Sequence, residues 1–209
     1  MKTILFQGDS ITDASRNRET TVPNWAMGYG YATAVSAILG EQCPGDYDFY
    51  NRGIGGNRIV DVYARIRADI INLKPDYMSL LIGVNDVWHD DWQNGVDTEK
   101  FEKIYRMLLD EVKAALPRIR IMLLGAFVTE GTEMEGRYDT FRAAVAERAE
   151  ATRRIAKDYN LPFVDLQAVF DEACKKAPAT YWTYEGVHPT SQGHGLITRE
   201  WLKAFEEIK

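Results

Sequence analysis

The chain has 209 residues, 45% of them hydrophobic, and a formal net charge of −6 at pH 7. That length suits one α/β domain, residues 1–209, with a large core, and the composition excludes a disordered chain. With no basic cluster along the sequence, neither nucleic acid nor an anionic membrane is expected as a partner, and an acidic surface suits neutral substrates better than anionic ones.

In chain order, Lys2–Gln7 reads as a buried first strand ending in the turn Gly8-Asp9-Ser10-Ile11-Thr12-Asp13. Ala14–Met27 is polar, contains Pro23 and reads as a loop over a cleft. Tyr29–Leu39 is predicted helical and closed by Gly40, Tyr47–Tyr50 is a second strand, and Asn51–Asn57 is a glycine-rich turn. Ile59, Val62, Tyr63, Ile66 and Ile70 recur at helical spacing and predict one helix to about Leu73, stopped by Lys74-Pro75-Asp76. Tyr77–Ile82 is a third strand, Gly83–Asp86 its terminal turn, and Val87–Thr98 a loop. Phe101, Ile104, Leu108 and Val112 mark a helix ending before Pro117, and Ile119–Leu124 a fourth strand. Gly125–Arg137 is a polar, acidic loop. Phe141, Val145, Ala149, Thr152 and Ile155 define one face of a helix over Thr140–Tyr159. A short fifth strand, Phe163–Asp165, a helix or turn over Leu166–Lys176 and a final helix capped by Thr190 or Ser191 complete the chain. In that helix Ile197, Trp201 and Phe205 point inward and His194 is a surface or packing residue.

Strands alternating with helices imply a parallel sheet covered on both faces, and right-handed crossovers leave few topologies. The expected fold is a three-layer α/β/α, flavodoxin-like arrangement with strand order 2-1-3-4-5. In such a sheet ligands bind at the carboxyl edge, where strands one to three would bring Ser10, the Gly53–Gly56 turn and Asn85 together.

Four segments carry the chemistry: Gly8-Asp9-Ser10, Asn51-Arg52-Gly53-Ile54-Gly55-Gly56-Asn57, Gly83-Val84-Asn85-Asp86 and Glu185-Gly186-Val187-His188-Pro189. In order and spacing the set resembles the SGNH (GDSL) hydrolase superfamily, over nearly the whole chain. The resemblance implies the same flavodoxin-like fold. It also implies Ser10 as nucleophile, His188 as general base, and an oxyanion hole from the backbone N–H groups of Ser10 and Gly56 with the side chain of Asn85. Residue chemistry agrees. A glycine lets a backbone N–H approach a ligand closely, an asparagine offers an uncharged donor, and an unperturbed histidine titrates near ~6.5. The base needs an orienting acid, and the family usually carries Asp three residues before the histidine; here that position is Glu185, one methylene longer. Asp9 and Asp86 are read as structural residues of their turns.

Within the superfamily the segments look most like small carbohydrate acetylesterases of the acetylxylan-esterase type. That implies removal of acetyl groups from carbohydrate such as xylo-oligosaccharides, with no cofactor. Trp88 follows Asn85 closely, and Trp92, Trp182 and Tyr184 lie in other cleft loops; all four are candidates to line the substrate. The alternative within the superfamily is a lipid-like ester hydrolase of lysophospholipase or arylesterase type, which the polar loops disfavour. A non-catalytic carbohydrate-binding module and a nucleotide binder are the readings from other classes; the second lacks a Walker lysine and a dinucleotide fingerprint.

Cys43 and Cys174 are expected as free thiols, and His89, His188 and His194 do not form a metal site. No stretch resembles a signal peptide or reaches the ~20 apolar residues of a membrane span, so a cytoplasmic protein without a membrane partner is expected. Exposed aromatic side chains in the cleft loops are compatible with a homo-oligomer.

Overall fold

The computed structural model of the chain describes residues 1–20 and 22–209. Strands β1 (Lys2–Gly8), β2 (Tyr47–Asn51), β3 (Tyr77–Leu81), β4 (Arg120–Leu124) and β5 (Phe163–Val164) form one parallel sheet in the order β2-β1-β3-β4-β5. Helices α1 (Tyr31–Gln42), α2 (Ile59–Ala64), α3 (Thr98–Ala115), α4 (Tyr138–Asp158), α5 (Leu166–Cys174) and α6 (Ser191–Glu206) cover it. This is the expected α/β fold and strand order.

Alternation along the buried strands divides the interior into two cores. Ile4 and Phe6 of β1 face α1, α5 and α6 through Tyr31, Val35, Phe170, Trp201 and Phe205. Leu5 faces the other way, toward Ile59 and Val62 of α2, Leu108 and Val112 of α3, and Ile155 of α4. Trp201 stacks on Phe205 at 5.0 Å and lies tilted against Phe6 at 5.3 Å, which fixes α6 on β1. The strands thus end on one rigid edge, from which the functional turns emerge.

Local structure departs from the sequence expectation in places with identifiable causes. α1 continues through Gly40 to Gln42, because the buried face of Tyr31, Ala32, Val35 and Leu39 outweighs the ~1 kcal/mol cost of one helical glycine. The helix expected from Ile59 to Leu73 breaks at Arg65 into α2, a turn over Ile66–Asp69 and a 3₁₀ turn over Ile71–Leu73. At the break the Arg65 guanidinium turns inward and donates to Gln7 Oε1, Gly8 O, Arg52 O, Asn57 Oδ1 and Asp69 Oδ2. The loop expected after Asn85 is helical over Val84–Trp88 and 3₁₀ over His89–Trp92; Val84 and Val87, three apart, are both buried by that turn. Gly125–Arg137 is less polar in place than in sequence, since Phe127 stacks on Phe170 at 4.1 Å and Val128 and Met134 are buried. On α4 the buried position is Arg148 rather than Ala149, because the guanidinium donates to Val96 O at 2.8 Å. Ala14–Met27, expected as a loop, includes a helical turn over Pro23–Ala26; Thr21 lies outside the described residues. Cys43 and Cys174 are free thiols.

Candidate active site

The turn after β1 opens a four-residue helix, Ser10–Asp13, capped by Asp9, whose carboxylate accepts the Ile11 N–H at 3.0 Å. Its neighbours fix the turn's position. Asn51, the last residue of β2, donates through Nδ2 to Thr12 O at 2.6 Å and Met27 O at 2.9 Å, and accepts the Gly53 N–H at 2.9 Å. Gly53 is a close-approach glycine: a Cβ there would stand 2.3 Å from the Asp13 nitrogen. The β2 turn is therefore pressed directly against the Ser10 turn.

Asp13 decides between the two remaining glycines of that turn. Its Oδ2 accepts the Gly55 N–H at 2.9 Å, so that donor is taken. Gly56 has φ +78°, a left-handed conformation, and among the described residues nothing accepts from its N–H or from the Ser10 N–H. Asn85 is buried and donates one Nδ2 hydrogen to Asn57 O at 3.1 Å, leaving the second without a protein acceptor among the described residues. Next to it, buried Asp86 accepts the Ile59 N–H on both oxygens, at 3.0 and 3.2 Å. Asn85 and Asp86 thus lock the β3 turn to the segment that follows Gly56.

The histidine arrives from the opposite end of the chain. Thr183 and Pro189 form an isolated antiparallel bridge, and Tyr184 N–H donates to His188 O at 2.9 Å, so Thr183–Pro189 is a closed loop. It rests on the segment after β4: Thr129 N–H donates to Gly186 O at 2.8 Å, and the Thr129 and Thr183 hydroxyls are 2.6 Å apart. Gly131 packs so tightly there that a Cβ would stand 2.1 Å from the Glu185 carbonyl carbon.

Two ends of the chain meet at Ser10 Oγ, which lies 2.8 Å from His188 Nε2. Glu185 Oε1 bonds the His188 ring at Nδ1 and also accepts the His188 backbone N–H, at 3.0 Å. An ionised carboxylate only accepts, so Nδ1 carries the proton and the neutral ring offers its Nε2 lone pair to the Ser10 hydroxyl. The Glu185 bond raises the His188 pKa above the usual imidazole value, against the opposing effect of burial; the nearby Asp9 charge adds to the rise. Burial works to raise the Glu185 carboxyl, but its bonds to His188 prevail and hold it low. Burial pushes Asp9 and Asp86 up to about 7.

A cleft of about 510 Å³ opens over Ser10 and His188, walled by Asp13, Arg16, Arg18, Tyr29 and Gly55. The four aromatic candidates are distributed unevenly. Half-buried Trp88 lies 6.2 Å from the His188 ring, tilted against it, and packs edge-on to Phe141. Trp92 stands out at 66% exposure against His89. Trp182 is half-buried, donating to Ala177 O at 3.3 Å, and Tyr184 is 57% exposed beside the histidine loop. Of the two readings of His194, surface or packing, the structure shows the second: its Nδ1 accepts the Tyr31 N–H at 3.2 Å, and burial holds its pKa down at about 4.

Sequence reasoning passed over Asn51, Asp13, Arg65, Arg16, Arg18 and Tyr29. Asn51 and Asp13 sit inside motifs that were recognised, so their polarity at strand ends was an available signal. Arg65 reads as the solvent side of an amphipathic helix, and nothing in its local pattern marks it as buried. Among the described residues no group of His, Cys, Asp and Glu has the arrangement of a metal site, and no helix is long and apolar enough to cross a membrane.

A parallel 2-1-3-4-5 sheet with a serine, a glycine turn and an asparagine at its carboxyl edge, joined by a C-terminal acid–histidine pair, defines an SGNH-type carboxylic ester hydrolase. The chain belongs to the GDSL-like lipase/acylhydrolase family, which it matches over residues 6–196. It is 34% identical to an acetylxylan esterase of Geobacillus stearothermophilus, over 99% of this chain and 95% of that one. A crystal structure of that esterase, Axe2, superposes with a TM-score of 0.86 at 33% identity, covering 97% of this chain and 93% of the other. A GDSL-like lipase from Parabacteroides merdae ATCC 43184 superposes with a TM-score of 0.92 at 36% identity, covering 97% and 94%. Structures of Axe2 described as catalytic mutants replace a serine, an aspartate and a histidine; the last two stand three residues apart, the spacing of Glu185 and His188 here.

Proposed function

We propose that this chain is a serine esterase that removes short acyl groups, acetyl foremost, from carbohydrate such as xylo-oligosaccharides. The observation that carries the reading is the 2.8 Å contact between Ser10 Oγ and His188 Nε2, with Glu185 on the far ring nitrogen. The substrate class rests on the full-length similarity to an acetylxylan esterase and on a polar cleft.

Ser10 attacks the acetyl carbonyl as His188 Nε2 takes its proton. The carbonyl oxygen gains negative charge and is held by the N–H groups of Ser10 and Gly56 and the second Nδ2 hydrogen of Asn85. His188, now charged and stabilised by Glu185, returns the proton to the departing sugar oxygen. Water then attacks the acetyl-serine by the same route, and acetate leaves. The unclaimed state of the Ser10 and Gly56 donors supports this assignment, as preorganised donors gain most when no protein group must be displaced. Trp88, flanking His188, gives the sugar a flat apolar wall, and Tyr29 supplies a second aromatic edge in the cleft.

The test is acetate release from acetylated xylo-oligosaccharides beside butyryl and octanoyl esters, with Ser10→Ala as control. Fast acetate release, lost in the variant, is expected. An octanoyl preference that the variant also loses would keep the catalytic groups and move the substrate to lipid-like esters. Activity that survives in Ser10→Ala would overturn the nucleophile.

A further inference from the structure

The wall of the active-site cleft carries a cation that forms no ion pair among the described residues. Arg16 is 9% exposed, and its guanidinium donates through Nε to Gly53 O at 2.9 Å. Among the described residues its two terminal nitrogens have no acceptor, and no carboxylate lies within 4.0 Å of it. Burial here works against its charged form, and the neighbouring Asp13 charge opposes that effect.

The surroundings sharpen the imbalance. Arg16, Arg18, Arg52 and Arg65 share two carboxylates, Asp13 and Asp69. Asp13 is bonded by Arg18 and Asp69 by Arg65 at 2.9 Å, with Arg52 3.7 Å from Asp69, so both carboxylates are engaged and Arg16 forms no ion pair among the described residues. Arg16 and Arg18 line the same cleft as Ser10 and His188. On a chain of net charge −6 this is a local concentration of positive charge beside Ser10 and His188.

We propose that Arg16 and Arg18 form an anion subsite that receives a carboxylate on the sugar half of the substrate, so that the preferred esters are acylated oligosaccharides bearing a uronic acid. This rests on the carbohydrate-esterase reading and narrows it. The planar fork of Arg16 presents two terminal nitrogens without an acceptor among the described residues, which matches a carboxylate bidentately. Arg18, half exposed at the rim, supplies the second charge, and Asp13, which it bonds, competes with the incoming anion for its guanidinium.

The experiment compares kcat/KM for an acetylated, glucuronic-acid-bearing xylo-oligosaccharide with that for its methyl ester, which differs only in charge. Wild-type protein, Arg16→Gln and Arg18→Gln are each measured at low and high salt. The ratio within one protein cancels any general loss of activity. The free acid is expected to be favoured about tenfold, the size of one charge-assisted hydrogen bond, with the ratio falling toward one in both variants and in high salt. Arg18→Gln decides the matter if Arg16→Gln does not fold. Equal rates on the two wild-type substrates, or a preference unmoved by both substitutions, overturn the subsite while leaving the esterase intact. A gain confined to an acetylated sugar phosphate overturns the carboxylate assignment. Failure to hydrolyse either acetyl sugar, with other esters cleaved, counts against the underlying substrate class instead.

Discussion

The two halves of the candidate site are built by different means. On the oxyanion side, Ser10, Gly56 and Asn85 leave three adjacent strands of one sheet. They are cross-tied by Asn51, Arg65 and Asp86, all buried or half-buried. On the base side, Glu185 and His188 sit in one short loop held by its own bridge, by the segment after β4 and by the buried side chain of Val187. The sheet edge fixes the first half to the accuracy of the core. The second is fixed by a few hydrogen bonds, by the tight packing of Gly131 and Gly186 and by one buried valine. Damage to the first half should therefore appear in the chemistry of the oxyanion, and damage to the second in the histidine's protonation.

The largest effect expected is from the group where the halves meet. Ser10→Ala should lower kcat by about 10⁴–10⁶, with Ser10→Ala/His188→Ala hardly worse than either single variant, because the pair acts as one unit. Esterase kinetics on an acetyl ester measure this; additive losses would separate the two residues.

Glu185→Gln comes next, at up to about 10⁴ in kcat. Its pH signature is more specific than its size. The Glu185 bond is the leading cause that raises the His188 pKa, and the base works only when neutral, so the acid limb of the wild-type profile should lie above the ordinary imidazole value. Removing the carboxylate should move that limb to lower pH. A limb that stays put would mean that Glu185 does not set the base.

On the oxyanion side, Asn85→Ala should cost about 10²–10³ in kcat with KM and the acid limb little changed. A displaced limb in this variant would join the two halves that the geometry separates.

Two packing glycines compare the scaffolds directly. Gly53→Ala drives a methyl group into the Ser10 turn, and Gly131→Ala into Glu185. Each should destabilise by about 1–3 kcal/mol in thermal unfolding. The alanine at Gly131 should also shift the acid limb, whereas that at Gly53 should not.

The smallest effect concerns the neighbouring His194. Buried and neutral, it keeps a folded pKa of about 4 while the unfolded chain takes up its proton near 6.5. Stability is then lost as pH falls from about 6.5 toward about 4, by roughly 2–3 kcal/mol at most. In His194→Gln that part of the acid loss should vanish, read as a smaller drop in melting temperature across this range than in the wild type.

Much of this design is local in origin. Short continuous apolar runs made the strands and helical spacing most of the helices, so the layers and the strand order followed from the sequence. Four short segments placed Ser10, Gly56, Asn85, Glu185 and His188 at strand ends or in one loop, because the chemistry of a turn is carried by adjacent residues. What adjacency cannot encode was decided by tertiary structure. The break at Arg65 arises because one guanidinium is drawn into bonds with segments up to 58 residues away, including Gln7. Gly56 rather than Gly55 keeps a free N–H because Asp13, 42 residues earlier than Gly55, claims the other. His194 lies on an otherwise ordinary helix and is buried only because α6 packs on α1. The same holds for charge. The sequence has a net charge of −6, yet folding gathers Arg16, Arg18, Arg52 and Arg65 near Asp13 and Asp69, with Arg16 and Arg18 in the cleft wall. Electrostatic fields depend on distances in space, and a net charge summed along the chain contains none of them.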